Sequence, residues 1–338
     1  MGAEPAFLAL AAHLKRQNYT FICPTPESHG RVVAKRIQSP ERRDVTNLED
    51  LFGWSLKADR NTIDQLLPPE LLEQLLKASV ITPVESEDRL KSEYRLSNLY
   101  LPHIQDGTSA PQMYYIHSAF PTTQSDAVFF GPDTYLFLDF LSQASRYFGA
   151  TPPRVVVDVC CGSGAGAIHM ARSLPSSKVI GLDLNPKALT LGKINAKLAD
   201  CQVDFAESDL FVAVKSREDI DLVVSNPPYI ASSEDSDVPM YAAGGAEQGL
   251  ALPLRIVSEG IQALAVGGLL MIYTGLPVFY EKPGHDPFLQ RIREVEGGEL
   301  VAYRIIHPDM FGEELSSPPY ADTGRIQVVG AVMRKTRS

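Results

Sequence analysis

The sequence predicts an α/β protein, a doubly wound and mostly parallel sheet preceded by a smaller α+β domain. Three observations carry that reading. From about residue 150, continuous apolar runs such as "RVVVDV", "KVIGLDL" and "IDLVVS" alternate with helical patterns, which implies a parallel sheet covered on both faces. Each run ends in a cluster of Gly, Asp, Asn or Pro, and ligands of such sheets bind at the carboxyl ends of the strands. The first 120 or so residues have a different texture, which places a boundary between domains 1–120 and 121–338. A length of 338 residues agrees with about two domains.

In the first domain, "NTIDQLLPPELLEQLLKASVI" has leucines at helical spacing, broken by Pro68 and Pro69. "ITPVESEDRLKSEYRLSNLYL" then sets apolar stretches around a charged turn, as in a hairpin. Helix, turn, helix and hairpin is a winged-helix order. The charges around the candidate recognition helix are mostly Asp and Glu, so a cap that orients a substrate is favoured over a duplex reader. In the second domain, "RVVVDV" is a strand and "AIHMARSL" a helix. "KVIGLDL" is followed by the helix "PKALTLGKINAKLA", "CQVDFAESDLF" supplies a third strand and "IDLVVSNPPY" a fourth. The helix "GLALPLRIVSEGIQALAV" leads to a fifth strand at "GGLLMIYTG".

Composition is that of a globular protein, 44% apolar and 21% charged. A net charge of -10 argues against a surface that simply coats nucleic acid. The four cysteines form no CxxC and no metal-ligand spacing, as expected of free thiols in a reducing cytosol. The seven histidines form no H-x-x-x-H or H-E-x-x-H pattern, so no metal is assigned. The N-terminus lacks the order of a signal peptide, and Ala6 stands where a myristoylation signal needs Ser or Thr. No apolar run approaches the roughly 20 residues of a membrane span. The expected location is the cytoplasm.

The unusual residues sit at the strand ends. "VDVCCGSGAGAIHMA" places Asp158 at the first, followed by Cys160, Gly162, Gly164 and Gly166 before a helix. Glycine admits positive φ and close approach of a ligand, and the helix start offers unpaired amides. Gly162, Gly164 and Ala167 also satisfy the dinucleotide spacing, so NAD binding is a rival. The second strand ends in Asp183, where a carboxylate would accept ribose hydroxyls, with Asn185 as the better helix cap. The third ends "ESDLF", where Asp209 would accept from an adenine amine and Leu210 lie near the ring; an ordinary loop carboxylate is the alternative. The fourth ends in Asn226, Pro227, Pro228 and Tyr229. A planar nitrogen attacks poorly because its lone pair is delocalised. Rigid acceptors that hold its N–H groups turn the lone pair toward an electrophile. The Asn226 carbonyl and the Pro227 backbone carbonyl are such acceptors, and Tyr229 offers a flat face.

Asp158 with the glycine loop, Asp183, Asp209 and "NPPY", in that order, resemble a class I S-adenosylmethionine-dependent methyltransferase. Within that class the chain is similar to the small-domain, HemK-like N-methyltransferases, which act on protein glutamine amides or nucleic-acid bases. "FFGPDTYLFLDFL" resembles their pre-domain segment, with Pro132, Asp133 and Thr134 in its motif. "GGAEQGLALPLRIV" resembles their segment after the catalytic loop, at Gly244, Gly245, Gly249 and Leu250. The resemblance covers about residues 125 to 275. It implies a Rossmann-like methyltransferase domain that takes S-adenosylmethionine through Asp158, Cys160, Gly162, Gly164, Asp183, Asp209, Leu210 and Asn226. It implies catalysis at Asn226, Pro227, Pro228 and Tyr229, and substrate contact at Phe130, Asp133 and Tyr229. Cys160 stands where the family usually has glycine. Residues 1–120 and "HPDMFGEELSSPPYADTG" differ from the release-factor methyltransferases, and both fall where substrate is chosen. Three alternatives remain open: the same chemistry on a small-molecule amine, an NAD-dependent oxidoreductase, and a non-catalytic winged-helix regulator.

Overall fold

The computed structural model describes residues 2–39, 44–85, 87–99, 114–149, 151–232, 238–316 and 318–337. Its central sheet contains seven strands: β1 (Val155–Val159), β2 (Lys178–Asp183), β3 (Asp204–Glu207), β4 (Ile220–Ser225), β5 (Leu264–Phe279), β6 (Gly298–His307) and β7 (Thr323–Lys335). They lie in the order β3-β2-β1-β4-β5-β7-β6. β1 to β5 are parallel, and β7 enters antiparallel between β5 and β6. The chain moves outward from β1 to β3, then returns to the other side of β1 with β4. That reversal opens a crevice at the carboxyl ends of β1 and β4.

Alternation along β1 explains why it reads as unbroken valine. Val156 packs into one core layer, while Val155, Val157 and Val159 pack into the other, because successive side chains leave opposite faces of a strand. Helices α1 (Pro132–Leu141), α2 (Ala165–Ser173), α3 (Pro186–Leu198), α4 (Ala251–Ala263) and α5 (Pro287–Arg293) flank the sheet. Asn185 caps α3 as expected, its side chain accepting from the Lys187 amide at 2.9 Å with Pro186 in the first turn.

Two features depart from the expected order. β5 begins at Leu264 rather than at the glycine pair, with a register shift before Leu269; Gly267, at φ +85°, lies in that irregularity. β6 and β7 have no counterpart in the sequence reading; β6 is only partly buried along its length and lacks a clean alternation, while β7 is a largely buried apolar run.

The N-terminal region holds helices Glu4–Arg16, Pro26–Ile37, Leu48–Phe52, Arg60–Leu66 and Pro69–Lys77. Pro68 and Pro69 separate the last two, with Pro69 opening the second helix. Ile81–Pro83 pairs antiparallel with Leu90–Ser92, forming the expected hairpin. Tyr94–Asn98, read as part of it, pairs instead with Tyr114–Ser118. Ser86 and residues 100–101 of that stretch lie outside the described residues.

This region shares the core of the sheet domain. Tyr115 stacks on Phe130 with centroids 4.9 Å apart. The buried Asn195 of α3 accepts from the Ile116 amide at 2.8 Å and donates to the carbonyls of Ile116 and Ser163 at 3.1 and 2.9 Å. Tyr135 of α1 accepts from the Cys23 amide and donates to the Asn98 carbonyl, each at 3.0 Å. Among the described residues, no helix is long and apolar enough to cross a membrane.

Candidate active site

A cavity of about 590 Å³ lies over the carboxyl ends of β1 to β4. Asp158, Cys160, Gly162, Asp183, Asp209, Leu210, Asp133 and Asn226 to Tyr229 all line it. Residues far apart in sequence thus share one wall, because the sheet sets their strands side by side. The Ser225 hydroxyl donates to the Val159 carbonyl at 2.7 Å, which ties the end of β4 to the end of β1.

At the β1 end, Gly162 has φ +53° and its amide donates to Asp183 Oδ2 at 2.8 Å. Gly164 is different. It has φ +83°, and a Cβ there would meet the Phe205 ring at 2.9 Å and the Gly192 backbone at 3.2 Å. It is absent from the cavity wall and serves the turn and the packing of α3. Cys160 takes φ +59°, a left-handed conformation that costs a non-glycine residue about 1–2 kcal/mol. Burial and the neighbouring carboxylates push the Cys160 and Cys161 thiols well above the usual thiol range, so neither is activated for oxidation.

Asp158 is fully buried; one oxygen accepts from the Ala167 amide at 2.7 Å, and the other has no partner. Burial, with Asp183 nearby, pushes its carboxyl up to about 8. Asp183 also accepts from the Asn185 amide at 2.9 Å, and burial raises its carboxyl too. The backbone donors fix its direction and leave lone pairs for hydroxyl ligands. Leu184, 54% exposed yet lining the cavity, provides an apolar face between Asp183 and Asn185. Asp209 is exposed and paired with Arg255 at 3.2 Å, a partner that its loop position did not suggest.

At the β4 end, Asp133 of α1 organises the loop. Its carboxylate accepts from Asn226 Nδ2 at 2.7 Å and from the Tyr229 hydroxyl. Burial raises Asp133, offset in part by those bonds. A carboxylate can only accept, so it draws the amino end of the Asn226 amide toward itself and turns the carbonyl end away. Asn226 Oδ1 is buried and has no partner. Tyr229 lines the cavity but is 4% exposed, with its ring against Gly275; it holds the loop more than it offers a free face. Phe130 points into the core against Tyr115 and His117. Phe129 lines the cavity in its place, stacked on Tyr241 at 5.2 Å. The "FF" pair alone could not say which ring turned inward.

Glycines after the loop clamp it. Ile230–Ala231 pairs with Ala243–Gly245. A Cβ on Gly244 would meet Tyr229 Cα at 2.5 Å, and one on Gly249 would meet the Tyr229 carbonyl oxygen at 2.0 Å. The Tyr320 hydroxyl, from the segment before β7, accepts from the Ala231 amide at 2.7 Å. Phe311, Glu313 and Glu314, from the same connection, close the far side of the cavity together with Phe120, Thr122 and Tyr241. Among the described residues, no group of three or more His, Cys, Asp or Glu is placed to hold a metal ion.

Known proteins resemble part of this chain. Residues 132–275 match the methyltransferase small domain family. The chain is 33% identical over 131 residues to the release factor glutamine methyltransferase of Koribacter versatilis, covering 36% of this chain and 47% of that one. It is 33% identical over 153 residues to the enzyme of the same name from Rhodopirellula baltica, covering 42% and 51%. The chain thus spans about half the length of these curated relatives. Among solved structures, the Thermus thermophilus 16S rRNA N2 G1207 methyltransferase aligns over 83% of this chain and 64% of that one, with 15% identity and a TM-score of 0.44.

Proposed function

We propose that this chain, which carries a class I S-adenosylmethionine-dependent methyltransferase domain, transfers methyl to a planar nitrogen presented to Asn226. The single observation behind this is the orphaned Asn226 Oδ1, aimed by Asp133 and buried in the wall of the cavity. An unpartnered buried acceptor is costly, by about 1–3 kcal/mol, so its persistence at this position fits a substrate N–H. The cofactor's fit rests on comparable evidence: Asp158 keeps an unpartnered oxygen, Gly162 leaves space above its backbone, and Asp183 is directed by two amides.

S-adenosylmethionine supplies a methyl on a sulfonium, so the new N–CH3 bond forms as the S–CH3 bond breaks and its electron pair returns to sulfur. The chain's residues position and polarise. Asn226 Oδ1 and the Pro227 carbonyl would accept the two N–H groups and direct the nitrogen lone pair out of its plane. Asp133 holds Asn226 and Tyr229. Catalysis would be mainly positioning and preorganised polarity. The proton shed by the methylated nitrogen leaves to solvent.

A glutamine side-chain amide is the acceptor suggested by the names of the relatives. A small-molecule amide or amine is the second reading. It is favoured by the closing residues Phe311, Glu313 and Glu314, which lie outside the matched segment 132–275. Mass spectrometry of products formed with deuteromethyl-labelled cofactor tests the function. Label on nitrogen supports it; no transfer to any protein, nucleic-acid or small-molecule fraction, or label on carbon or oxygen, refutes it.

A further inference from the structure

We propose that Arg95 receives a carboxylate of the methyl acceptor. This rests on the methyl-transfer reading and deepens it by naming a charged group of the substrate and the residue that takes it. Arg95 lies on the strand Tyr94–Asn98, directly across from His117 of Tyr114–Ser118. It is 4% exposed, and among the described residues it forms no ion pair. Its guanidinium donates to His29 Nδ1 at 3.2 Å and sits 5.1 Å from the centre of the Phe21 ring, while the buried Nε has no partner. Burial and the nearby guanidinium push His29 down to about 3 and His117 well below the ordinary histidine range. Burial also raises the Cys23 thiol. These neighbours are therefore neutral at physiological pH, and none supplies a counter-charge. A buried charge without a counter-ion is costly, and a bound anion relieves that cost.

Arg95 lines a second, small cavity of about 10 Å³ together with His117, Pro26, Phe120, Thr122 and Phe129. The last four also line the main cavity, so the two spaces adjoin. The small one admits one oxygen-sized group. A tetrahedral phosphate does not fit there. One oxygen of a flat carboxylate does, and a carboxylate matches the planar guanidinium. Among the described residues that line either space, Arg95 is the one Lys or Arg, and the main wall carries carboxylates. An acceptor with a carboxylate therefore finds its counter-ion at a single place, which fixes its direction relative to Asn226. A free amino-acid-like amide and a peptide with a neighbouring acidic group present the same chemistry.

Two measurements on the full chain test this, with R95M and R95K beside the wild type. Sodium formate, the smallest carboxylate, should raise the wild-type melting temperature above its value in sodium chloride of equal concentration, and should leave R95M unmoved. Tritiated methyl from S-adenosylmethionine is then followed into an extract of the native host. The extract is used untreated, and after its carboxylates have been capped as amides with carbodiimide and methylamine. Capping should lower the label about tenfold or more, the loss of one charge-assisted hydrogen bond. Separation by size tells a small molecule from a peptide. R95M should show a KM for the acceptor raised by a similar factor, with unchanged cofactor affinity, and R95K should recover part of the loss. Equal melting shifts in formate and chloride, full labelling of the capped extract, or a wild-type KM in R95M overturns the inference. The formate and capping results on the wild-type chain decide the matter even where R95M folds poorly. No label with the wild-type chain refutes methyl transfer itself and takes this inference with it, while the formate result shows separately whether Arg95 binds a carboxylate.

Discussion

At the scale of single residues, Asp133 and Asp158 are both buried carboxylates with opposite duties. Asp133 has donors for both oxygens and acts by aiming Asn226. It is a positioning residue in this account. Asp133→Asn replaces an acceptor that serves two donors, and loss of a charge-assisted bond costs about 1.5–3 kcal/mol. We expect a lower melting temperature and a fall of about 10- to 100-fold in single-turnover rate, with cofactor affinity unchanged. A purely structural role would lower stability and leave the rate of the folded fraction intact. Asp158 keeps one oxygen unpartnered, and its carboxyl sits at about 8. The ordinary unfolded value is about 3.9. Between these values the folded state holds a proton that the unfolded state has lost. Stability of the ligand-free protein therefore falls as pH rises, by at most about 1.4 kcal/mol per pH unit, and levels off above pH 8. Thermal scans from pH 5 to 9 should show this decline, and Asp158→Asn should flatten it. Identical pH profiles for both proteins would remove Asp158 as the source.

At the scale of elements, the strand ends and their residue types were readable because parallel-sheet chemistry concentrates at one edge. Asp158, Gly162, Asp183 and the "NPPY" loop all reach the cavity from positions predicted by local pattern. What was not readable depends on tertiary partners. Phe129 and Phe130 are sequence neighbours with opposite fates, set by Tyr241 on one side and Tyr115 on the other. Gly164 satisfies a cofactor spacing yet answers to Phe205 and Gly192. Strand β6, partly buried throughout, lacked a period to announce it, whereas the apolar run "RIQVVGAVM" of β7 did carry a strand signal; Glu313, Glu314 and Tyr320 lie on the connection between them. The Gly-Gly…Gly-Leu segment acquires a physical meaning only in the fold. Gly249 has φ +90° and no room for a Cβ beside the Tyr229 carbonyl. Gly249→Ala should cost about 1–3 kcal/mol and displace the Asn226–Tyr229 loop, so the single-turnover rate should fall more than cofactor affinity. Equal effects on both would show that the clamp does not act on the loop.

At the scale of the whole molecule, the boundary near residue 120 divides textures rather than cores. Buried residues from Phe7 to Val332 belong to one hydrophobic cluster. Asn195 bonds both to Ile116 in the N-terminal region and to Ser163 in the glycine loop. We therefore expect one cooperative thermal transition, with Asn195→Ala lowering its stability by about 2–3 kcal/mol. Two resolved transitions in calorimetry would show independent units. The N-terminal residues also reach the cavity directly at Pro26 and Phe120, which is how a region without cofactor residues would choose the acceptor.

The central claim is that Asn226 is the acceptor-side catalytic residue of a methyl transfer to nitrogen. The most direct measurement is the single-turnover rate of Asn226→Ala, taken with its cofactor affinity and melting temperature. The account predicts a fall of about 10²–10³ in rate, little change in cofactor affinity, and a folded protein. An unchanged single-turnover rate would contradict it and leave Asn226 as the capped end of a strand.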